Sequence, residues 1–294
     1  MSVNWVPVLF NSAVTGSLYL IGAIGLSVTY GLSGFPNFAH AEFITLGAFI
    51  GYFVAEQLGL PAALIVAFLV TGIVGFLCYR GIFQPLAKRG ATIIHLMVAS
   101  IAIGFILRYS INAIWSQSPY YFTTITWPSY TIGPVVTSGL RVWLILIATA
   151  LAIIMHLILV KTKIGKAIRA TSSNPELALA SGINIDRVIW ITWFIGAGLA
   201  AVAGVFRGAG TLVNPMTGWD IILPIFAVAI LGGIGNYYGA IAAAFIIGLA
   251  ENIGVVALTA LKLSTEYRVA IAFLILIVTL LLRPQGLAIL FRRA

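Results

Sequence analysis

An all-α bundle that crosses a membrane many times is the fold this chain predicts, on three observations. Apolar residues make up 61% of the 294 and charged residues only 8%, against roughly 45 to 50% and about 25% in soluble domains. The apolar residues fall into successive runs, each comparable to the ~20 residues a helix needs to span a bilayer, and the mean hydropathy is +1.11. The basic residues are clustered, and the first 79 positions hold none. Together these exclude a soluble enzyme, a secreted domain and a nucleic-acid binder. The net charge of +9 reads as a membrane-orientation signal of the kind the positive-inside rule describes. A lone cysteine, Cys78, leaves no internal disulfide and no multi-cysteine metal site.

Spans are expected at about 9 to 32, 42 to 57, 61 to 80, 92 to 114, 141 to 160, 188 to 207, 221 to 258 and 267 to 283. The first has neither a basic flank before it nor an A-x-A site after it, and reads as a retained helix. The run 221 to 258 is too long for one span and is interrupted by Gly232, Gly233, Gly235 and Gly239, which predicts a broken helix or two short ones. Eight or nine membrane segments follow, in a single membrane domain covering 1 to 294.

Eleven of the 16 basic residues lie in three places: Arg80, Lys88 and Arg89; Lys161, Lys163, Lys166, Arg169 and Arg187; and Arg283, Arg292 and Arg293. These segments are expected in the cytoplasm. The stretch 114 to 140 has no charge and carries Trp115, Tyr120, Tyr121, Phe122, Trp127 and Tyr130, a composition that suits an extracytoplasmic loop or interfacial belt.

Two breaks share a pattern of Gly, Asn, an aromatic and a closing Ala: GFPNFAHA at 34 to 41 and GIGNYYGA at 233 to 240. They leave open either an internal repeat or a chance likeness between glycine-rich breaks. Small residues recur four apart at Gly196, Ala200, Gly204 and Gly208, at Ala240, Ala244 and Gly248, and at Gly47 and Gly51. Such stripes let helices approach closely where lipid supplies no hydrophobic drive.

Polar groups in apolar sequence are candidates for a translocation path: Asn37, His40, Glu42 and Thr45 at the first break, Asn236 at the second, and Glu251 beyond it. The competing reading is that Asn37 and His40 cap the broken backbone while the glutamates sit paired or hydrated near the surface. Arg108 and Arg207 are expected to snorkel from span ends.

The longest polar stretch is 161 to 187. Within it Asn174 suits an N-cap, Pro175 the first turn, Glu176 the positive helix end and Gly182 a stop, so a short surface helix is expected at about 175 to 181. It serves as a solvated connection or docks on a cytoplasmic partner. Catalysis finds little support, since His40, His95 and His156 lack metal-ligand spacing and no G-x-S-x-G elbow or P-loop is present. Any ATP hydrolysis that drives transport must then lie on another chain.

The ordered motifs NFAHAEFITLGAF (37 to 49), GKAIRATSSNPELALASGIN (165 to 184), LGGIGNYYGA (231 to 240) and RPQGL (283 to 287) resemble the membrane-spanning permease subunits of bacterial and archaeal branched-chain amino acid ABC importers. The chain departs from the commonest family form at Ala41, where Gly is usual. The resemblance implies an importer with a second, paralogous permease subunit, two cytoplasmic ATPase subunits carrying ATP and Mg, and an extracytoplasmic binding protein. It implies no cofactor on this chain itself. Asn174, Pro175, Glu176, Ala180, Gly182 and Ile183 become candidates for coupling to the ATPase. Branched-chain amino acids are the implied substrate, with urea and short amides as alternatives within the same permease type. A secondary transporter or channel would need its own ion site or filter, and an intramembrane enzyme a nucleophile with its base.

Overall fold

A computed structural model describes residues 4 to 123, 127 to 282 and 286 to 287. The helices are α1 (Trp5–Ser33), α2 (His40–Cys78), α3 (Gln84–Lys88), α4 (Ile93–Trp115), α5 (Gly139–Lys161), α6 (Lys163–Ser173), α7 (Pro175–Ala180), α8 (Ile185–Gly210), α9 (Trp219–Gly232), α10 (Tyr237–Ala260) and α11 (Arg268–Leu282). Six stretches are long and apolar enough to cross a membrane, one of them the 49 residues His40–Lys88. That stretch folds back at Gly59, whose φ of 80° is left-handed, just before Pro61. Dividing it there and adding the shorter apolar helices α9 and α11 gives nine segments among the described residues, within the expected eight or nine. The expected long run 221 to 258 is two helices, α9 and α10, parted by the turn at 233 to 236. Arg283, Arg292, Arg293 and the RPQ of the closing motif lie outside the described residues; Leu287 donates its N–H to the carbonyl of Leu231 at 2.7 Å.

Among the described residues the all-α reading holds except for one antiparallel hairpin, Ser129–Ile132 with Val135–Ser138, in the stretch expected to be a loop, and an isolated bridge between Tyr120 and Val213. Gly133 turns the hairpin with φ of 58°. The aromatics of that stretch do not all form a belt. Trp115, Tyr120 and Phe122 turn inward and pack on Phe49, Tyr52 and Phe53 of α2. Rings packed on rings gain contact area and edge-to-face attraction that an interfacial position would forgo.

α8 is the mast of the bundle, and two of the three small-residue stripes lie where other helices meet it. A Cβ on Gly204 would collide with the carbonyl of Ile44, and one on Gly51 with the side chain of Val205. Thus the first arm of α2 runs beside the later half of α8. The second arm returns along the earlier half, placing Gly72 on Phe194 and Gly75 on Ala197. On the other side α1 packs antiparallel to α10, with Gly16 against Ala244 and Gly248 against Ser12 and Gly16. These contacts replace the hydrophobic drive absent in lipid with close van der Waals packing.

The path from α1 to α2 positions the polar residues. α1 ends on Gly34 (φ 73°) at the end of the bundle that also carries Lys88, Lys161 and α6. The chain then re-enters in extended form: Phe35 packs on Phe83 and Trp193, and Phe38 reaches Phe226. α2 starts level with Gly22 of α1, whose carbonyl meets His40 Nε2 at 3.1 Å. Phe35, Asn37 and Ala39 are buried, so this non-helical backbone is covered by protein, the condition under which it survives at membrane depth.

Candidate functional site

The first arm of α2 and the short helix α9 begin side by side in the middle of the bundle and run to opposite ends. α9 has 14 residues, about 21 Å of helix, too short for a hydrocarbon core of about 30 Å. The starts are pressed together: a Cβ on Gly218 would collide with the carbonyl of Ala41. Gly218 N–H donates to Thr45 Oγ1 at 3.0 Å, and that hydroxyl donates to Ala41 O at 3.1 Å.

Two helix N-termini meeting in an apolar interior bring two positive dipole ends together, which calls for a negative group between them. Glu42, in the first turn of α2, is that group. Its side chain has 0% exposure. Its Oε1 accepts from Arg108 Nη2 at 2.6 Å, Arg108 Nε at 2.9 Å and Trp219 Nε1 at 2.6 Å. The Arg108 guanidinium also lies 4.7 Å from the centre of the Trp219 ring. Arg108 therefore does not snorkel outward from α4 as expected. A buried carboxylate makes an inward path cheaper, since each ion would otherwise be desolvated alone. Arg207 likewise pairs with Asp220, at 3.3 Å.

Four of the six path candidates, Asn37, His40, Glu42 and Thr45, thus come together at one junction. All four are buried and bonded to protein groups. Glu251 is also buried but stands apart, accepting from Tyr19 across the α1–α10 contact at 2.8 Å, while its neighbour Asn252 donates to Thr15. Both glutamates are buried within the protein and paired.

Asn236 is elsewhere again. It caps α10 by accepting from Gly239 N–H at 2.8 Å and borders a cavity of about 730 Å³. The cavity is walled by the last turns of α1 and α5, by α6, by the 233 to 236 turn and by the start of α10. None of the other five path candidates lines it.

The sequence likeness between the two breaks is not matched in geometry. Asn37 Oδ1 accepts from the N–H two residues on, Ala39, at 3.1 Å, and α2 begins with no side-chain cap. The counterpart is Asn214, which accepts from Met216 N–H at 2.8 Å before the start of α9. Sequence reasoning passed over Asn214, Trp219 and Tyr19, and it gave Arg108 no partner. Asn-Pro at 214 and 215 was a readable turn sign, and an arginine well inside a span asks for an acidic partner.

α7 forms as expected, ending one residue early. Asn174 Oδ1 accepts from Leu177 N–H at 2.9 Å, Pro175 opens the first turn and Glu176 is exposed. Gly182 (φ 81°) ends it, with its N–H on Leu179 O and Ile183 N–H on Ala178 O at 3.0 Å. Ala178 faces the protein, Ala180 is exposed and Ile183 is half-buried. Leu177 and Leu179 each stand 64% exposed. Behind α7, Ser172 of α6 donates to Gly31 O at 3.2 Å, and a Cβ on Gly31 would lie 2.8 Å from Gly235 Cα. α6, α1 and the second turn are therefore in direct contact.

The sequence profile of the family described as "Branched-chain amino acid transport system / permease component" matches residues 8 to 280. The chain belongs to that family. This permease is 31% identical over 295 residues to the probable branched-chain amino acid transport permease protein LivH of Methanocaldococcus jannaschii, covering 95% of this chain and 91% of the relative. It also matches that organism's probable LivM permease, at 25% identity over 76% of this chain and 74% of the relative. Among solved structures it resembles PsaBC from Streptococcus pneumoniae in complex with Fab, with a TM-score of 0.51 and 15% identity over 95% of this chain and 94% of that one. At that identity the likeness concerns the fold alone.

Proposed function

We propose that this permease carries branched-chain amino acids inward across the cell membrane of a bacterium or archaeon, as one subunit of an ABC importer. In this reading a paralogous permease completes the pathway, two cytoplasmic ATPases bind ATP and Mg, and an extracytoplasmic protein delivers the substrate. The observation that carries it is α7: a capped helix at the basic end of the bundle that holds two leucines out, in a chain whose family is a permease component. Exposed leucines beside Glu176 suit a groove on a soluble partner better than lipid or water. The match to both LivH and LivM of one organism supports a paralogous partner.

The basic end is then cytoplasmic by the positive-inside rule, and the hairpin end faces out. When the ATPases close on ATP they displace α7. Through α6 and the contact of Ser172 with Gly31, that displacement reaches Gly235 and the turn between α9 and α10. Rigid-body rocking of the bundle then alternates access. Hydrolysis stays on the partners, and no cofactor belongs to this chain.

Replacing Glu176 by Lys together with Gly182 by Val tests the coupling. The first reverses a charge at the positive end of α7, and the second places a β-branched residue at a left-handed φ. The expected result is loss of ATP-driven leucine uptake and of ATPase co-purification, with an unchanged melting temperature for the membrane bundle. Wild-type uptake would refute the role of α7.

A further inference from the structure

The cavity beside α6 has the chemistry of a small amphipathic zwitterion, and we propose that it is the cytoplasmic-side binding site from which an apolar amino acid leaves the permease. This rests on the import reading above and adds a place and a set of contacts. About 730 Å³ falls within the range of small-molecule sites. The lining includes the aliphatic side chains of Leu32, Leu159 and Ile168, which receive a branched side chain, and the polar side chains of Arg169, Ser173 and His156.

Arg169 is held in place without being used up. One of its Nη1 hydrogens goes to the carbonyl of Leu159, and a guanidinium has five N–H donors. The others are available for a bidentate bond to a carboxylate, the geometry arginine favours. No aspartate or glutamate lines the cavity among the described residues, so nothing there competes for the guanidinium. His156 Nδ1 lies 2.9 Å from the Tyr238 hydroxyl, which fixes the ring. Asn236 Oδ1 spends one lone pair on Gly239 N–H and keeps another for the substrate ammonium. Two walls of the site, α6 and the 233 to 236 turn, are the elements that meet through Ser172, Gly31 and Gly235. A movement of α7 therefore reshapes this site directly.

The test uses the complete importer in lipid nanodiscs without nucleotide, labelled by a diazirine analogue of leucine and mapped by peptide mass spectrometry. Label is expected within 156 to 173 and 233 to 238, suppressed by excess leucine and not by urea, and equal in anionic and purely zwitterionic lipid. Arg169→Gln should lower the labelling about tenfold, the worth of one charge-assisted hydrogen bond, and Arg169→Lys should restore part of it. ATPase activity of each variant complex reports correct assembly. Label confined to other segments, or unchanged in Arg169→Gln, overturns the site while wild-type leucine uptake keeps the import reading alive. Label that anionic lipid displaces and leucine does not makes the cavity a lipid site and overturns the proposal as well. Absence of leucine uptake by the wild-type complex sinks the import reading and this site with it.

Discussion

The junction of α2 with α9 and the cavity beside α6 are both polar places in an apolar bundle, and they are built differently. At the junction the polar groups are turned on one another: Glu42 Oε1 on Arg108 and Trp219, Thr45 on Gly218, His40 on Gly22, with Glu42 Oε2 the one of these carboxylate oxygens left without a partner among the described residues. At the cavity the side chains of Asn236, His156 and Ser172 each keep one bond to protein, and Arg169 is tied at one atom only among the described residues, so donors and acceptors are left facing open space. Buried polar groups that satisfy one another specify a structure, and those left facing a cavity are ready for a ligand. The difference separates scaffold from site more clearly than residue type does, since each place holds a histidine, an asparagine and an arginine.

Breaking the junction should have the largest effect on stability. Arg108→Leu leaves the Glu42 carboxylate buried without its cation, an expected loss of about 3 to 5 kcal/mol. It should be read as a large fall in the melting temperature of the purified subunit. The double variant Glu42→Leu with Arg108→Leu should recover much of that fall, and its failure to do so would mean that Glu42 is needed at the helix starts for more than Arg108. A middle effect is expected at the α1–α10 contact. Tyr19→Phe removes the hydrogen bond to Glu251 and should cost about 1.5 to 3 kcal/mol if that carboxyl is charged, measured by thermal unfolding. The smallest effect should come from Asn174→Ala, which uncaps an exposed helix for about 1 kcal/mol. It should leave the bundle's melting temperature unmoved while lowering the affinity for the ATPase in a pull-down titration.

Much of this architecture was legible in the chain because lipid makes hydropathy an almost direct record of the spans. The gap between the expected spans 42 to 57 and 61 to 80, and the glycines at 232 to 235, marked real breaks, and the small-residue stripes marked real helix contacts. The cap and stop of α7 could be read locally since every group involved lies within ten residues. The junction was legible only in half. Glu42, His40 and Thr45 drew attention, but their partners lie far along the chain and follow no local period. The hairpin at 129 to 138 was missed because its strands are four residues each. Their alternation is too short to stand out in an uncharged aromatic stretch. The cavity could not have been foreseen, since it is lined by four separate pieces of chain that share no common motif.

The distances along the chain at the junction also set an order for biogenesis. Arg108 follows Glu42 by 66 residues, whereas Gly218 follows Thr45 by 173 and Trp219 follows Glu42 by 177. A ribosome feeding this chain into the membrane therefore delivers the counter-ion of Glu42 well before the helix that completes its cage. For the time it takes to translate α5 to α8, the first arm of α2 must wait half-assembled, with one side of the Glu42 carboxyl exposed to the insertion machinery or to water. The step that closes this junction is the arrival of Gly218, where any side chain larger than hydrogen would meet the Ala41 carbonyl.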